Sequence, residues 1–339
     1  MTDDAGSAGR WPVLVTRRIL RPALDTIAER CEMDLWEGPP EAIPREDLLK
    51  RIAGKLGAVT LLTEKVDGDL LDAAGPQLRI VANYAVGFDN IDVEECTRRG
   101  VMATNTPEVL TDTTADLAWA LLMAAGRRIA EGDRFLRGRK GWIWGPEMML
   151  GQDLHHKVLG IVGFGRIGQA MARRATGFGM RIIYYDLFRP PDPVERELGA
   201  EFRELDELLN EADFISIHVA LTSETRHLFG PDQFRKMKRT AVLVNSSRGP
   251  VIDEPALAEA LRSGEIFAAG LDVFENEPEV HPDLLELENA TVIPHLGSAT
   301  VDTRLAMGLL AVENLIAALE GRRPPTLLNP EAWERTRGG

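Results

Sequence analysis

Short apolar runs rich in β-branched residues alternate along this chain with segments whose apolar positions recur every three or four residues. Residues 13–15, 33–36, 58–62, 78–82 and 101–103 read as strands, and 22–30, 45–52, 69–74 and 93–99 as helices. Strand–helix alternation of this kind predicts a parallel sheet covered on both faces, an α/β architecture. A longer helical pattern follows over 108–128, with Leu110, Leu117, Leu121 and Leu122 on one side. Residues 132–154 then read as irregular and hold Trp142 and Trp144, two large rings expected to dock on their own domain or on another subunit. A second alternation places strands at 158–162, 181–185, 201–202, 214–219, 241–245, 268–273 and 291–293, read as a six-stranded doubly wound sheet. A final helix over 298–320 and a proline-bearing tail folded back on the first domain complete the pattern.

The second unit opens with the most informative stretch. The buried-strand run Val158-Leu159-Gly160-Ile161-Val162 leads into Gly163-Phe164-Gly165-Arg166-Ile167-Gly168, then a helical segment, then a strand ending on Asp186. Gly163 allows the tight turn, Gly165 lets a pyrophosphate approach the backbone, and Gly168 lets the helix pack on the strand. The helix N-terminus offers amides and the positive end of its dipole to the phosphates. Asp186, 23 residues after Gly163, is placed to accept from the adenosine ribose hydroxyls. A lone G-x-G-x-x-G is a weak signal; strand, glycines, helix, strand and acid in order are a strong one. The carboxylate repels a 2′-phosphate, so NAD is favoured, although Arg189 offers NADP a cationic partner. The first unit has no glycine fingerprint after its first strand and is not the dinucleotide site.

Composition narrows the function classes. The 339 residues allow two domains with cores of their own, and 44% apolar content makes wholesale disorder unexpected. Acidic residues outnumber basic ones by 53 to 39, a net charge of −14 that argues against nucleic acid and anionic membrane surfaces as partners. Cys31 and Cys96 form no disulfide framework, and neither they nor the histidines have metal-ligand spacing. The polar N-terminus is unlike a secretion signal, and no apolar run reaches bilayer length, so the expectation is a cytoplasmic protein.

Ligands of open parallel sheets sit beyond the carboxyl ends of the strands. Three strand ends of the second unit carry chemistry there: Arg248 after 241–245, Glu277 after 268–273, and His295 after 291–293. Singly, each has a plain reading: a turn charge, a solvated acid, and a cap for the helix near Ser298. Jointly, beside a dinucleotide fingerprint, they suggest hydride transfer to a carbonyl. Histidine can donate and retrieve a proton near neutral pH, and a carboxylate on its other nitrogen fixes its orientation. Arginine matches a substrate carboxylate bidentately. His218, at the end of a buried strand, reads as facing the nicotinamide side.

At this point the sequence resembles the D-2-hydroxyacid dehydrogenase family. The carrying segments are 83–92, 105–112, the glycine fingerprint, Asn245-Ser246-Ser247-Arg248-Gly249, 270–278 and Pro294-His295-Leu296-Gly297-Ser298. The resemblance is nearest to glyoxylate and hydroxypyruvate reductases and spans roughly 13–329. It implies a flavodoxin-like catalytic domain, residues 1–106 with 296–339, and a Rossmann NAD-binding domain, residues 107–295, with the active site in an interdomain cleft. It implies Arg248, Glu277 and His295 as the catalytic set, with Glu277 rather than Glu275 paired to His295. Further cofactor contacts are implied at Thr114, Val219, Ser246, Asp272 and Gly297, beside Arg166, Ile167 and Ser247. Amides at Val86 and Gly87 are implied to hold the substrate carboxylate with Arg248. Members are typically homodimers, and Trp144 matches a place from which a partner's aromatic reaches the substrate. Ala220, where the family usually has proline, and Asp186, an acid that close glyoxylate reductases often lack, depart from the pattern. The implied reaction is NAD(P)H-dependent reduction of a small 2-oxo acid. Oxidation of D-3-phosphoglycerate, D-lactate or phosphite, and a nucleotide-sensing regulator without turnover, are the alternatives.

Overall fold

The computed structural model describes residues 10–39, 41–139 and 141–337. The chain divides into two units, Met1–Leu110 with Ala299–Gly339, and Thr111–Ser298. In the first, β1 (Trp11–Val15), β2 (Cys31–Leu35), β3 (Gly57–Thr60), β4 (Ile80–Asn83) and β5 (Met102–Thr104) alternate with α1 (Arg21–Arg30), α2 (Arg45–Ile52), α3 (Gly68–Ala74) and α4 (Val93–Arg99). The strands are all parallel in the order β2-β1-β3-β4-β5. This is the flavodoxin-like order, with its switch point between β1 and β3. Because side chains alternate across a strand, Leu14, Ala58, Val81 and Ala103 face α2, α3 and α4 in one buried cluster.

The second unit begins with α5 (Thr111–Gly126) and α6 (Ile129–Arg137). The expected single helix over 108–128 is thus split: Glu108 and Arg128 both have positive φ, which breaks the helical path before and after α5. It also means that the first part of the stretch read as irregular is helical. Then follow β6 (Val158–Val162), α7 (Arg166–Thr176), β7 (Arg181–Tyr185), α8 (Asp192–Leu198), β8 (Ala200–Phe202), α9 (Leu205–Glu211), β9 (Phe214–Ile217) and α10 (Pro231–Lys236). The unit closes with β10 (Val242–Asn245), α11 (Glu254–Arg262), β11 (Ala268–Leu271), α12 (Pro282–Glu286) and β12 (Ala290–Val292).

These strands form one parallel sheet in the order β12-β11-β10-β9-β6-β7-β8. The sheet has seven strands, not six: β12 pairs with β11 beyond the doubly wound set, Gly270 opposite Thr291. One face packs Ile183, Ile215, Ile217, Leu243 and Leu271 under α9 to α12, and the other packs Leu159, Ile161, Tyr184, Val242 and Val244 under α5, α7 and α8. Burial on both faces is why these strands read as unbroken apolar runs.

The chain then returns to its first unit with α13 (Val301–Leu319) and α14 (Pro330–Arg337). Leu328 N donates to Ala103 O at 2.8 Å, extending the sheet edge at β5, which is the fold-back expected of the tail. Among the described residues no helix is long and apolar enough to cross a membrane.

Candidate active site

The fingerprint turn is fixed by backbone packing. Gly163 has φ +95°, and a Cβ there would lie 2.6 Å from the carbonyl carbon of His218, so only glycine fits between the ends of β6 and β9. A Cβ on Gly168 would fall 2.2 Å from Gly163 O, whereas one on Gly165 would project into open space, the space a pyrophosphate needs. Arg166 and Ile167 open α7, whose first turn is unobstructed by an acid. Asp186 directly follows β7, and its two carboxylate oxygens accept from Phe164 N (2.6 Å) and Phe188 N (3.1 Å). The acid therefore ties the glycine turn to the second strand end while keeping lone pairs for a ligand. The Arg189 guanidinium lies over the Phe202 ring, 3.9 Å from its centroid.

Beyond β10, Asn245 shapes the next loop. Its Oδ1 accepts from Ser247 N (3.0 Å) and Ser247 Oγ (2.9 Å), and its Nδ2 donates to Arg248 O (2.9 Å). That turn presents Arg248, whose Nη1 donates to Ser247 O at 2.8 Å. Gly249 follows for steric reasons: a Cβ there would sit 1.9 Å from the Phe274 carbonyl. The loop after β10 is thus pressed against the loop after β11, which carries Glu277. Ser246 Oγ is buried with no hydrogen-bond partner among the described residues, an orphaned polar atom of the kind a bound ligand satisfies. Val219, after β9, is half-buried beside the fingerprint turn.

The acid–imidazole pair is formed. His295 Nδ1 lies 2.8 Å from Glu277 Oε2, and Glu277 Oε1 accepts from Phe274 N at 3.0 Å. Burial pushes the Glu277 carboxyl up, but the His295 hydrogen bond and charge, the Phe274 amide and the Arg248 charge outweigh it and hold the carboxyl below its ordinary range. His295 has φ +51°, an uncommon backbone for this residue, held by its N–H donating to Asp272 O at 2.9 Å. It does not cap the following helix; Thr300 does, accepting from Thr303 N at 3.3 Å. Asp272 is fully buried and accepts from Leu296 N (2.5 Å) and Gly297 N (2.8 Å). Burial pushes its carboxyl up to about 6 against those two amides and the His295 charge. Gly297 in turn adjoins Thr114 in the first turn of α5. Glu275, the alternative partner, is instead 2.5 Å from His227 Nε2.

Glu254, at the start of α11, carried no signal in the sequence beyond an acid in a first helical turn. Its buried carboxylate accepts from Glu275 N (2.6 Å) and His281 N (3.3 Å), bracketing the segment that holds Glu277. His218 Nε2 is 2.8 Å from Ser216 Oγ, and burial pushes its imidazole down to about 4, so it stays neutral near pH 7. Val86 and Gly87 lie in the first unit, in the loop after β4. Trp144 is 76% exposed. Among the described residues no group of three or more His, Cys, Asp or Glu is arranged to hold a metal ion.

Residues 119–297 match the family model described as D-isomer specific 2-hydroxyacid dehydrogenase, NAD binding domain. Over 326 residues the chain is 52% identical to a glyoxylate reductase of Thermococcus kodakarensis, covering 95% of this chain and 97% of the relative. Among solved structures, a Thermus thermophilus protein superposes with TM-score 0.87 at 44% identity, covering 94% of this chain and 99% of that one. The NADPH-dependent glyoxylate/hydroxypyruvate reductase of Sinorhizobium meliloti, solved with NADP and malonate, gives TM-score 0.81 at 34% identity, covering 96% and 98%.

Proposed function

The chain belongs to the D-isomer specific 2-hydroxyacid dehydrogenase family, and from that premise we propose that it reduces glyoxylate to glycolate or hydroxypyruvate to D-glycerate. The single observation that supports this most directly is the 2.8 Å His295–Glu277 pair at the sheet edge that also carries the glycine fingerprint.

Bound NADH or NADPH supplies the hydride. His295 donates a proton from Nε2 to the carbonyl oxygen as negative charge develops there, while Glu277 holds Nδ1 and stabilises the imidazolium. Arg248 and the amides at Val86 and Gly87 take the substrate carboxylate. Thr114, Val219, Ser246, Ser247, Asp272 and Gly297 line the nicotinamide end, with Ser246 Oγ free to bond it. Gly163, Gly165, Arg166, Ile167 and Gly168 take the pyrophosphate, and Asp186 takes the adenosine ribose. The charge of Asp186 favours NADH over NADPH; Arg189 is the residue that would soften this preference.

A panel of 2-oxo acids assayed with both cofactors tests the reading. Turnover is expected on glyoxylate or hydroxypyruvate, and no turnover on any 2-oxo acid would reject it in favour of a nucleotide-sensing role. His295→Gln is expected to lower turnover at least a hundredfold while NADH affinity stays nearly intact. Equal losses in both would reject His295 as the proton donor.

The working form we infer is a cytoplasmic homodimer. What supports association is the apolar surface around α6: no residue of that helix is buried, and Ile129, Leu136, Trp142, Ile143, Trp144 and Leu150 are exposed. Trp144 is our candidate for a side chain lent to the partner's substrate site. Light scattering is expected to give twice the 37.4 kDa chain mass, falling towards one chain when Trp142 and Trp144 are both replaced by Ser. A monomeric native protein would sink this part alone.

A further inference from the structure

The loop after β4 is anchored in an unusual way. Asn105 Nδ2 donates to Val86 O at 2.8 Å, and Asn83 Nδ2 donates to Gly87 O at 3.1 Å. Both asparagines are buried, and they stand at the carboxyl ends of the neighbouring strands β4 and β5. Each is itself held. Asn83 Oδ1 accepts from Thr60 Oγ1 (3.1 Å), and the adjacent Asn90 donates to Leu61 O (3.0 Å) and Glu64 O (2.9 Å). The Asn105 carbonyl accepts from Thr326 Oγ1 (2.6 Å), whose own N–H is taken by Asn314 Oδ1 (3.1 Å).

The peptides on either side of Gly87 are trans. In a trans peptide the C=O and the following N–H point in opposite directions. Anchoring Val86 O therefore turns the Gly87 N–H away from Asn105, and anchoring Gly87 O turns the Phe88 N–H away from Asn83. Neither amide, nor that of Val86, is taken by an acceptor among the described residues. Flipping either plane would present a carbonyl to a carboxylate and leave a buried side-chain donor unpaired.

Resting on the reading of a 2-oxo acid substrate, we infer that Asn83 and Asn105 are positioning residues that fix two successive amide donors, Gly87 and Phe88, for the substrate carboxylate, Phe88 extending the Val86–Gly87 cradle by one amide. Selectivity for acids over neutral carbonyl compounds then comes partly from two side chains that never touch the substrate.

The test uses the NADH-loaded protein with oxamate, an unreactive carboxylate analogue. In the wild type, saturating oxamate is expected to move the amide resonances of both Gly87 and Phe88. In Asn105→Ala the Gly87 response is expected to be lost while that of Phe88 persists, and in Asn83→Ala the reverse. Each variant is expected to raise the KM for glyoxylate roughly tenfold, with kcat changed less than about threefold and NADH affinity unchanged. A purely structural role would not give this one-to-one pattern. Wild-type resonances unmoved by oxamate would overturn the inference even if neither variant folds, as would folded variants with wild-type KM. A wild type that turns over no 2-oxo acid removes the parent reading and this one with it; turnover with unmoved resonances removes this one alone.

Discussion

At the scale of single residues, the strongest constraint on mechanism is the protonation of the His295–Glu277 pair. The Glu277 carboxyl lies below its ordinary range, so it remains ionised throughout pH 5–8. Reduction consumes the form in which His295 carries the proton, and the ionised Glu277 holds Nδ1 so that Nε2 is left to donate it. Glu277→Gln should lower kcat about a hundredfold, measured as turnover at saturating substrate and NADH. A variant with native kcat would mean that this carboxylate does not orient the acid. The same carboxylate bears on folding. A depressed carboxyl contributes stability above its unfolded pKa that is lost as pH falls through its folded value, and the glutamine variant should lack that acid-side loss. Both partners of this pair lie just past strands, where ligands of an open sheet go, but the choice of Glu277 over Glu275 was legible only through resemblance. Ser246 was legible only through resemblance, and what marks it in the structure is an unpaired buried oxygen.

At the scale of elements, what the sequence left hidden is whatever depends on contacts between loops. Asn245 and Gly249 look like ordinary turn residues, yet one folds the loop that presents Arg248 and the other lets it touch the loop bearing Glu277. Glu254 is equally silent, because the amides it accepts from lie 21 and 27 residues further along the chain. All seven strand segments, β12 among them, were legible in the sequence; only their reading as a six-stranded set fell short, because β12 pairs with β11 beyond the doubly wound six. The break between α5 and α6 was missed because it rests on one non-glycine residue at positive φ, Arg128, for which apolar spacing carries no signal. These cases yield a prediction. Gly249→Ala places a methyl 1.9 Å from the Phe274 carbonyl, so one of the two loops must move. The expected loss is about 1–3 kcal/mol of stability, with turnover reduced more than tenfold. NADH binding, whose pyrophosphate and ribose contacts are proposed at the distant β6–α7 turn and Asp186, should change less than turnover. Calorimetry with a fluorescence titration of NADH would separate these effects, and a variant with native turnover would show the loops are not coupled.

At the scale of the whole molecule, the chain builds two cores and closes the first of them last. Residues beyond 298 add α13 and the tail to the opening sheet, so the first unit cannot be complete until the second has been traversed. The seal is Asn329, only 2% exposed. Its Oδ1 accepts from Ala103 N at 2.9 Å, and its Nδ2 donates to Val101 O (2.9 Å) and Thr97 Oγ1 (3.0 Å). One side chain thereby satisfies polar groups of α4 and of the chain into β5. Asn329→Ala leaves a buried N–H and a buried C=O without partners, each costing about 1–3 kcal/mol, for a loss on the order of 3 kcal/mol. That loss belongs to the first unit, whereas the glycine fingerprint lies in the second. Saturating NADH at about a hundred times its Kd should stabilise the second unit by about 2.7 kcal/mol through mass action. The expected result in the variant is therefore an early melting step that NADH does not raise, followed by a later one that it does. A single transition raised as a whole by NADH would instead mean that the two units unfold as one, and that Asn329 seals the entire molecule.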